Sequence, residues 1–285
     1  MWTKLQNLPW YLRWPAKWAL VALALFLVSF PNPLLFVRHV QHWQNPNAMI
    51  QADHPQLQPW VTELNEQLEP GTPPPEVLKT VQKFVYHKVP YRFDWETWGS
   101  ADYLPTLAEV LEVGAEDCDG RAVVAASLLR NLGFKADLVT DFTHVWVKTD
   151  KGETMSPGRR KSVIATRKGF LIDWRAVTRT LPRSLAYGIS PFPLGRELVV
   201  LAVLWIVLLR PGVGWPAKLI CLLIMVDGLL VLRGGGANWR RPDVAVQLWG
   251  LGQIIGPVAA LLILGRRAGR ADPATATEQQ ADPAS

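Results

Sequence analysis

The chain holds only two cysteines, Cys118 and Cys221, and Cys221 lies inside an apolar run. That scarcity excludes a disulfide framework, and it excludes a structural zinc site built from several thiols. The polar middle of the chain has no charge excess either. Residues 38–190 carry 18 Lys/Arg and 18 Asp/Glu, so the formal net charge of +6 comes entirely from 12 basic and 6 acidic residues elsewhere. Those residues sit in or beside apolar segments, which makes the charge a matter of membrane topology and excludes a nucleic-acid partner. Nothing in the residue pattern calls for a metal or an organic cofactor.

What the sequence does have is apolar length at both ends. Residues 19–37 (ALVALALFLVSFPNPLLFV) carry no charge and are long enough to cross a bilayer. Lys4, Arg13 and Lys17 precede them, with Trp2, Trp10, Trp14 and Trp18 placed as an interfacial belt. No small-residue cleavage site follows, so this stretch reads as an uncleaved anchor rather than a signal peptide. Residues 198–209 and 219–232 are short apolar runs joined by a Pro/Gly-rich turn at 211–216, and residues 244–264 are long enough alone. Asp227 inside such a run marks either function or a pairing, with Arg196 as the expected partner. About four spans place both basic termini on one side, which the positive-inside rule makes cytoplasmic; the soluble domain then faces outward. Domain boundaries are therefore expected at 1–37 (basic N-terminus and anchor), 38–190 (soluble domain), 191–267 (three transmembrane helices) and 268–285 (disordered tail).

Within the soluble domain, Val77, Val81, Phe84 and Val85 recur at helical spacing over residues 76–87. A short helix is expected over 106–113, closed by Gly114. Residues 118–132 read as a helix with Asp117 as N-cap and Ala122, Ala125, Ala126, Leu129 and Leu132 on one face. Strands are expected at 135–142 and 144–149, with a turn at 150–152 and a returning strand at 153–156. The pattern is α+β. His39 and His42, one helical turn apart beyond the anchor, read as interfacial rather than as metal ligands.

Cys118 stands at a helix start, where free N–H groups and the dipole favour a thiolate. His144, 26 residues later on a strand, is a candidate proton acceptor if the helix packs on that strand. Glu116, Asp117 and Asp119 oppose this, since carboxylates beside a thiol raise its pKa. On residue type alone, a single Cys is more often a packing residue than a nucleophile.

The wording of the segment adds to that reading. Glu116-Asp-Cys-Asp-Gly-Arg-Ala122, a small-residue helix, Leu132-Gly-Phe134 and then His144-Val-Trp146 resemble the transglutaminase-like superfamily. Asp102-Tyr-Leu-Pro-Thr106 and Glu109-Val-Leu111 are similar to its bacterial cysteine proteinases. The resemblance covers residues 76–157. It implies a papain-like core in which a Cys-bearing helix packs on an antiparallel sheet bearing the His. It also implies a membrane-tethered cysteine peptidase or amidase, Cys118 and His144 as the catalytic pair, and a peptide or protein substrate. Asp119, Trp98 and Tyr103 would then help position or stabilise the oxyanion. The family's acid falls at Ser156, so Asp141, Asp150 and Asp173 are alternative third members. The missing acid also motivates the other expectation, a catalytically degenerate domain that binds peptides or scaffolds a membrane complex.

Overall fold

A computed structural model describes residues 8–140, 144–156, 163–166, 169–210, 212–238 and 240–270. The described residues are mostly helical, with a three-stranded and a two-stranded antiparallel sheet. The chain divides into two units, one formed by residues 29–180 and the other by residues 1–28 with 181–285.

In the 29–180 unit, the first helix is α2 (Pro33–Gln44), which begins after α1 (Trp10–Ser29) has ended. The expected anchor at 19–37 is thus divided. Asn32 Oδ1 accepts from the N–H groups of Leu34 and Leu35 and Pro33 starts the new helix, so the Pro-Asn-Pro sequence ends one helix and caps the next. The membrane candidate is Tyr11–Ser29, shifted toward the N-terminus. His39 and His42 on α2 hold the Leu104 peptide from both sides: Leu104 N–H donates to His39 Nδ1 at 3.2 Å, and His42 Nδ1 lies 2.6 Å from Leu104 O.

Helix α3 (Gln58–Glu66) and helix α4 (Pro74–Lys88) follow, and α4 starts two residues earlier than the pattern suggests because Pro74 and Pro75 fill its first turn. After the short α5 (Asp94–Thr97), helix α6 (Leu107–Val113) carries a capping box between Thr106 and Glu109 and stops at Gly114, φ +72°. Helix α7 (Cys118–Asn131) buries more than the expected face. Val123, Val124, Ser127 and Leu128 are buried along with Ala122, Ala125, Ala126 and Leu129, because α4, α6 and the sheet surround it. Small residues let those neighbours approach on all sides.

The sheet runs in the order β1 (Ala136–Thr140), β2 (Val145–Thr149), β3 (Gly152–Thr154), all antiparallel. Val139 faces Trp146 across β1–β2, and Val147 faces Thr154 across β2–β3. The central β2 buries Val145, Trp146, Val147 and Thr149, the pattern of a strand covered on both faces. Arg130 Nε donates to Ala136 O at 2.8 Å and ties α7 to β1, while Thr154 Oγ1 donates to Leu78 O at 3.1 Å and ties β3 to α4. A separate two-stranded pair, β4 (Val163–Thr166) with β5 (Gly169–Ile172), completes the unit's strands among the described residues.

The other unit contains α1, the end of α8 (Trp174–Ile189), α9 (Leu194–Leu208), α10 (Trp215–Gly236) and α11 (Val244–Arg270). Among the described residues, three helical stretches are long and apolar enough to cross a membrane: Tyr11–Ser29, Trp215–Gly236 and Val244–Arg266. A fourth exists only if α8 and α9, bent by 103°, count as one broken span. The short run at 198–209 therefore does not stand as a span alone. Asp227 accepts from Gln253 Nε2 on α11 at 2.6 Å, not from Arg196. The expected tail at 268–285 begins later, since α11 continues to Arg270; the remainder lies outside the described residues.

Helices α10 and α11 touch through glycines. A Cβ on Gly250 would lie 2.5 Å from Leu232 N and 2.7 Å from Gly228 O, both backbone atoms that cannot swing aside. Gly250→Ala is expected to separate the pair and destabilise the unit by about 1–3 kcal/mol. A lowered melting temperature of the detergent-solubilised protein, followed by tryptophan fluorescence, is the check; an unchanged value would show that the helices do not pack this way.

Candidate active site

Residues 114–121 are fixed from both sides before α7 begins. Glu116 N–H donates to Pro90 O at 3.0 Å, and Arg92 N–H donates to Glu116 O at 3.3 Å. Arg121 reaches back to the same segment, donating to Val89 O through Nε at 2.9 Å and Nη2 at 2.7 Å. Its guanidinium lies 5.0 Å from the Tyr86 ring and 4.9 Å from the Tyr91 ring, a stacked setting that suits arginine. Gly120 has to be small, because a Cβ there would come within 2.4 Å of Glu116 Cγ.

Asp117 caps α7 as the sequence indicates, with Oδ1 accepting from Asp119 N–H at 3.0 Å. That cap puts Cys118 at the first helical position, half-buried. Its thiol donates to Asp119 Oδ1 at 3.2 Å. The helix that begins at Cys118 packs against β2, which starts at Val145, directly after His144. Burial first, then the charges of Asp117 and Asp119, push the Cys118 thiol well above its usual range. The backbone N–H from Val145 pulls the other way and is outweighed. At rest this is a neutral thiol rather than a thiolate.

The His144 ring is held by a backbone group. Nε2 lies 2.8 Å from Met155 O. Ser156 does not take the position that the resemblance gives it: its hydroxyl donates to Glu153 Oε2 at 2.9 Å. The alternative acids are engaged elsewhere too. Asp150 accepts from Lys135 N–H, and Asp173 accepts from Arg175 and Ala176 N–H at the start of α8. Asp141 lies outside the described residues. Met155 itself has φ +59°, a left-handed conformation that costs a non-glycine residue roughly 1–2 kcal/mol.

Trp98 and Tyr103 also direct their polar hydrogens at carboxylates. Trp98 Nε1–H donates to Glu116 Oε1, and Tyr103 Oη–H donates to Glu109 Oε1 at 2.9 Å. Trp98 thereby braces the acidic cluster, while the Tyr103 hydroxyl is directed at Glu109, outside it.

That cluster is the part that sequence reasoning missed. Asp94, fully enclosed, accepts from Tyr103 N–H at 2.7 Å and brings a carboxylate oxygen within 4.8 Å of oxygens of Glu116 and Asp117. The ligating atoms of Asp117, Cys118 and Asp119 are equally close. Carboxylates this near each other in a dry site must share protons or hold a cation. Burial first, and Asp117 second, raise Glu116 to about 8. The same two causes raise Asp94 and Asp119 well above the carboxylate range. The segment Phe93-Asp-Trp95 gave a hint, an acid among aromatics, but enclosure cannot be read from it.

Asp119 should restrain the thiol. Asp119→Asn removes the carboxyl that accepts the S–H and that opposes a thiolate whenever it ionises, so alkylation of Cys118 by iodoacetamide at pH 8 is expected to accelerate by about tenfold. Mass spectrometry of the full-length protein reads the rate, and an equal or slower rate would remove Asp119 from this role.

Comparison of the chain with protein-family models, with curated proteins and with solved structures finds no match.

Proposed function

We propose that the chain is a membrane-anchored thiol hydrolase of transglutaminase-like type, cleaving peptide or isopeptide amides outside the cytoplasm. The observation that carries this reading is that α7, which begins at Cys118, packs on β2, the strand that His144 leads. A helix beginning at the cysteine and packed on an antiparallel sheet is the core that the resemblance implies, and we read the 29–180 unit as that core.

The chemistry follows from a neutral thiol. His144 Nδ1 takes the proton as Cys118 Sγ bonds to the amide carbon, and N–H groups of the first turn of α7 meet the oxyanion. The imidazolium then gives its proton to the leaving amine, the C–N bond breaks, and a thioester remains. Water attacks the thioester carbon as His144 takes a water proton; the C–S bond breaks, His144 returns that proton to the sulfur, and the released acid loses its own proton to solvent.

Orientation rests on the cationic end of the membrane unit. Lys17 Nζ donates to Val207 O at 2.6 Å, Arg210 Nη1 donates to Gly265 O at 3.2 Å, and Arg13 and Arg266 lie within electrostatic reach of Arg210. This gathering of basic residues from α1, α9 and α11 suits the cytoplasmic face. The chain leaves α1 at its opposite end for the 29–180 unit, which then lies outside. Arg233 is neutralised by Glu197 and so weighs little against this orientation.

One observation favours the second reading, a non-catalytic peptide-binding or scaffolding module: the carboxylates that keep the thiol protonated. The two readings separate with p-nitrophenyl acetate as acyl probe on the full-length protein in detergent. A transient acetyl group on Cys118 that forms and hydrolyses, absent in Cys118→Ala and slowed in a His144 variant, supports the hydrolase. No acetylation, or acetylation indifferent to His144, would leave the binding module as the function.

A further inference from the structure

The Cys–His pair proposed above, on which this inference rests, works only if the imidazole nitrogen that takes the thiol's proton has a free lone pair. A neutral imidazole carries hydrogen on one nitrogen, and the partner of the other nitrogen decides which. His144 Nε2 lies 2.8 Å from the main-chain carbonyl oxygen of Met155. A carbonyl accepts and cannot donate, so Nε2 carries the hydrogen and Nδ1 keeps its lone pair.

The position of that carbonyl has a backbone cause. Had the β2–β3 ladder continued beyond Val147 and Thr154, Met155 would face Trp146 and its carbonyl would run along the ladder. Instead Met155 adopts φ +59°, the one positive φ on a non-glycine residue among the described residues. The strand ends there. Its side chain is buried in the core that includes Trp146 and Val147, which anchors the turn. Ser156, where the resemblance sets an acid, turns its hydroxyl to Glu153.

We propose that the Met155 carbonyl, aimed by this left-handed turn, is the positioning group of His144 and holds it as the Nε2–H tautomer with Nδ1 as base. It takes the place of a carboxylate. A carbonyl orients the ring through a dipole and brings no full charge to favour a thiolate–imidazolium pair. That agrees with a thiol whose hydrogen still points to Asp119.

The test is nitrogen NMR on the full-length protein in detergent micelles, labelled with ¹⁵N-histidine, the His144 signals being assigned by their loss in His144→Gln. Long-range proton–nitrogen correlations are expected to show hydrogen on Nε2. Met155→Gly and Met155→Asn, which accept a positive φ, should keep that tautomer and acetylate within about threefold of wild type. Met155→Val, whose branched side chain resists it, should lose the tautomer and slow acetylation by about tenfold or more at an unchanged fold. Hydrogen on Nδ1 in the wild type would overturn the inference, as would a Val variant that behaves like wild type. If the Val variant does not fold, the wild-type tautomer and the Gly and Asn variants decide alone. Nε2–H with no acetylation of Cys118 would sink the hydrolase and leave the positioning group standing. His144-dependent acetylation with hydrogen on Nδ1 would do the reverse.

Discussion

His144→Gln lowers the rate at which p-nitrophenyl acetate acetylates Cys118 by about 10²–10⁴, the range associated with loss of a positioned base. The size follows from the state of the thiol. Burial, Asp117 and Asp119 hold Cys118 well above the usual thiol range, so almost no thiolate exists at neutral pH without assistance. Attack then requires proton removal in the same step, and the proposed base is His144, which directly precedes the strand packed against α7. Glutamine is the informative replacement, because its amide N–H can still donate to Met155 O while offering no basic nitrogen. The melting temperature should stay close to that of wild type. A Gln variant acetylated as fast as wild type would mean that Cys118 reacts as an ordinary thiol, and the hydrolase reading would fall.

The second large effect is on stability. The 29–180 unit should become less stable as pH rises from about 4.5 to about 8, because Glu116 is raised from 4.5 to about 8 when folded. The sign follows from proton binding. Below 4.5 both folded and unfolded chains hold the proton and the stabilisation is complete. Between the two values the unfolded chain has released it and the folded chain has not, so stability falls with each unit of pH. Above 8 the contribution is gone. Glu116 is fully buried, and its share is on the order of 4 kcal/mol. Asp94 and Asp119 are raised by the same causes and act in the same direction. Melting temperatures of the full-length protein across pH 5–8.5 would show the fall, and Glu116→Gln should flatten it. A stability that rises over that interval would mean that the carboxylates are neutralised by something other than shared protons.

Much of this protein was legible in its sequence for reasons that are local. Thr106 with Glu109 spells a capping box and Gly114 a left-handed stop, so α6 was readable residue by residue. Asp117 before a small-residue run marks the start of α7, and the turn before Gly152 marks a hairpin. The anchor misled for a reason of the same kind. Hydropathy adds up through Phe30 and Phe36, but Asn32 caps a new helix between two prolines, and backbone chemistry took precedence over apolar length.

The site divides along the same line. The sequence by itself determined the helix start at Cys118, the strand after His144, the cap that separates them from Glu116, and the apolar helices at both ends. Each is set by neighbours a few residues apart, where spacing, capping and hydropathy act. Only the tertiary structure decided that α7 packs on β2, that Trp98 and Tyr103 serve carboxylates, and that Asp94 closes an acidic cluster beneath the helix start. It also decided that Met155, a residue with no local preference for positive φ, turns a carbonyl onto His144. Those contacts join parts of the chain up to tens of residues apart, and the pKa values and tautomer that govern the chemistry depend on burial, which exists only once the chain has folded.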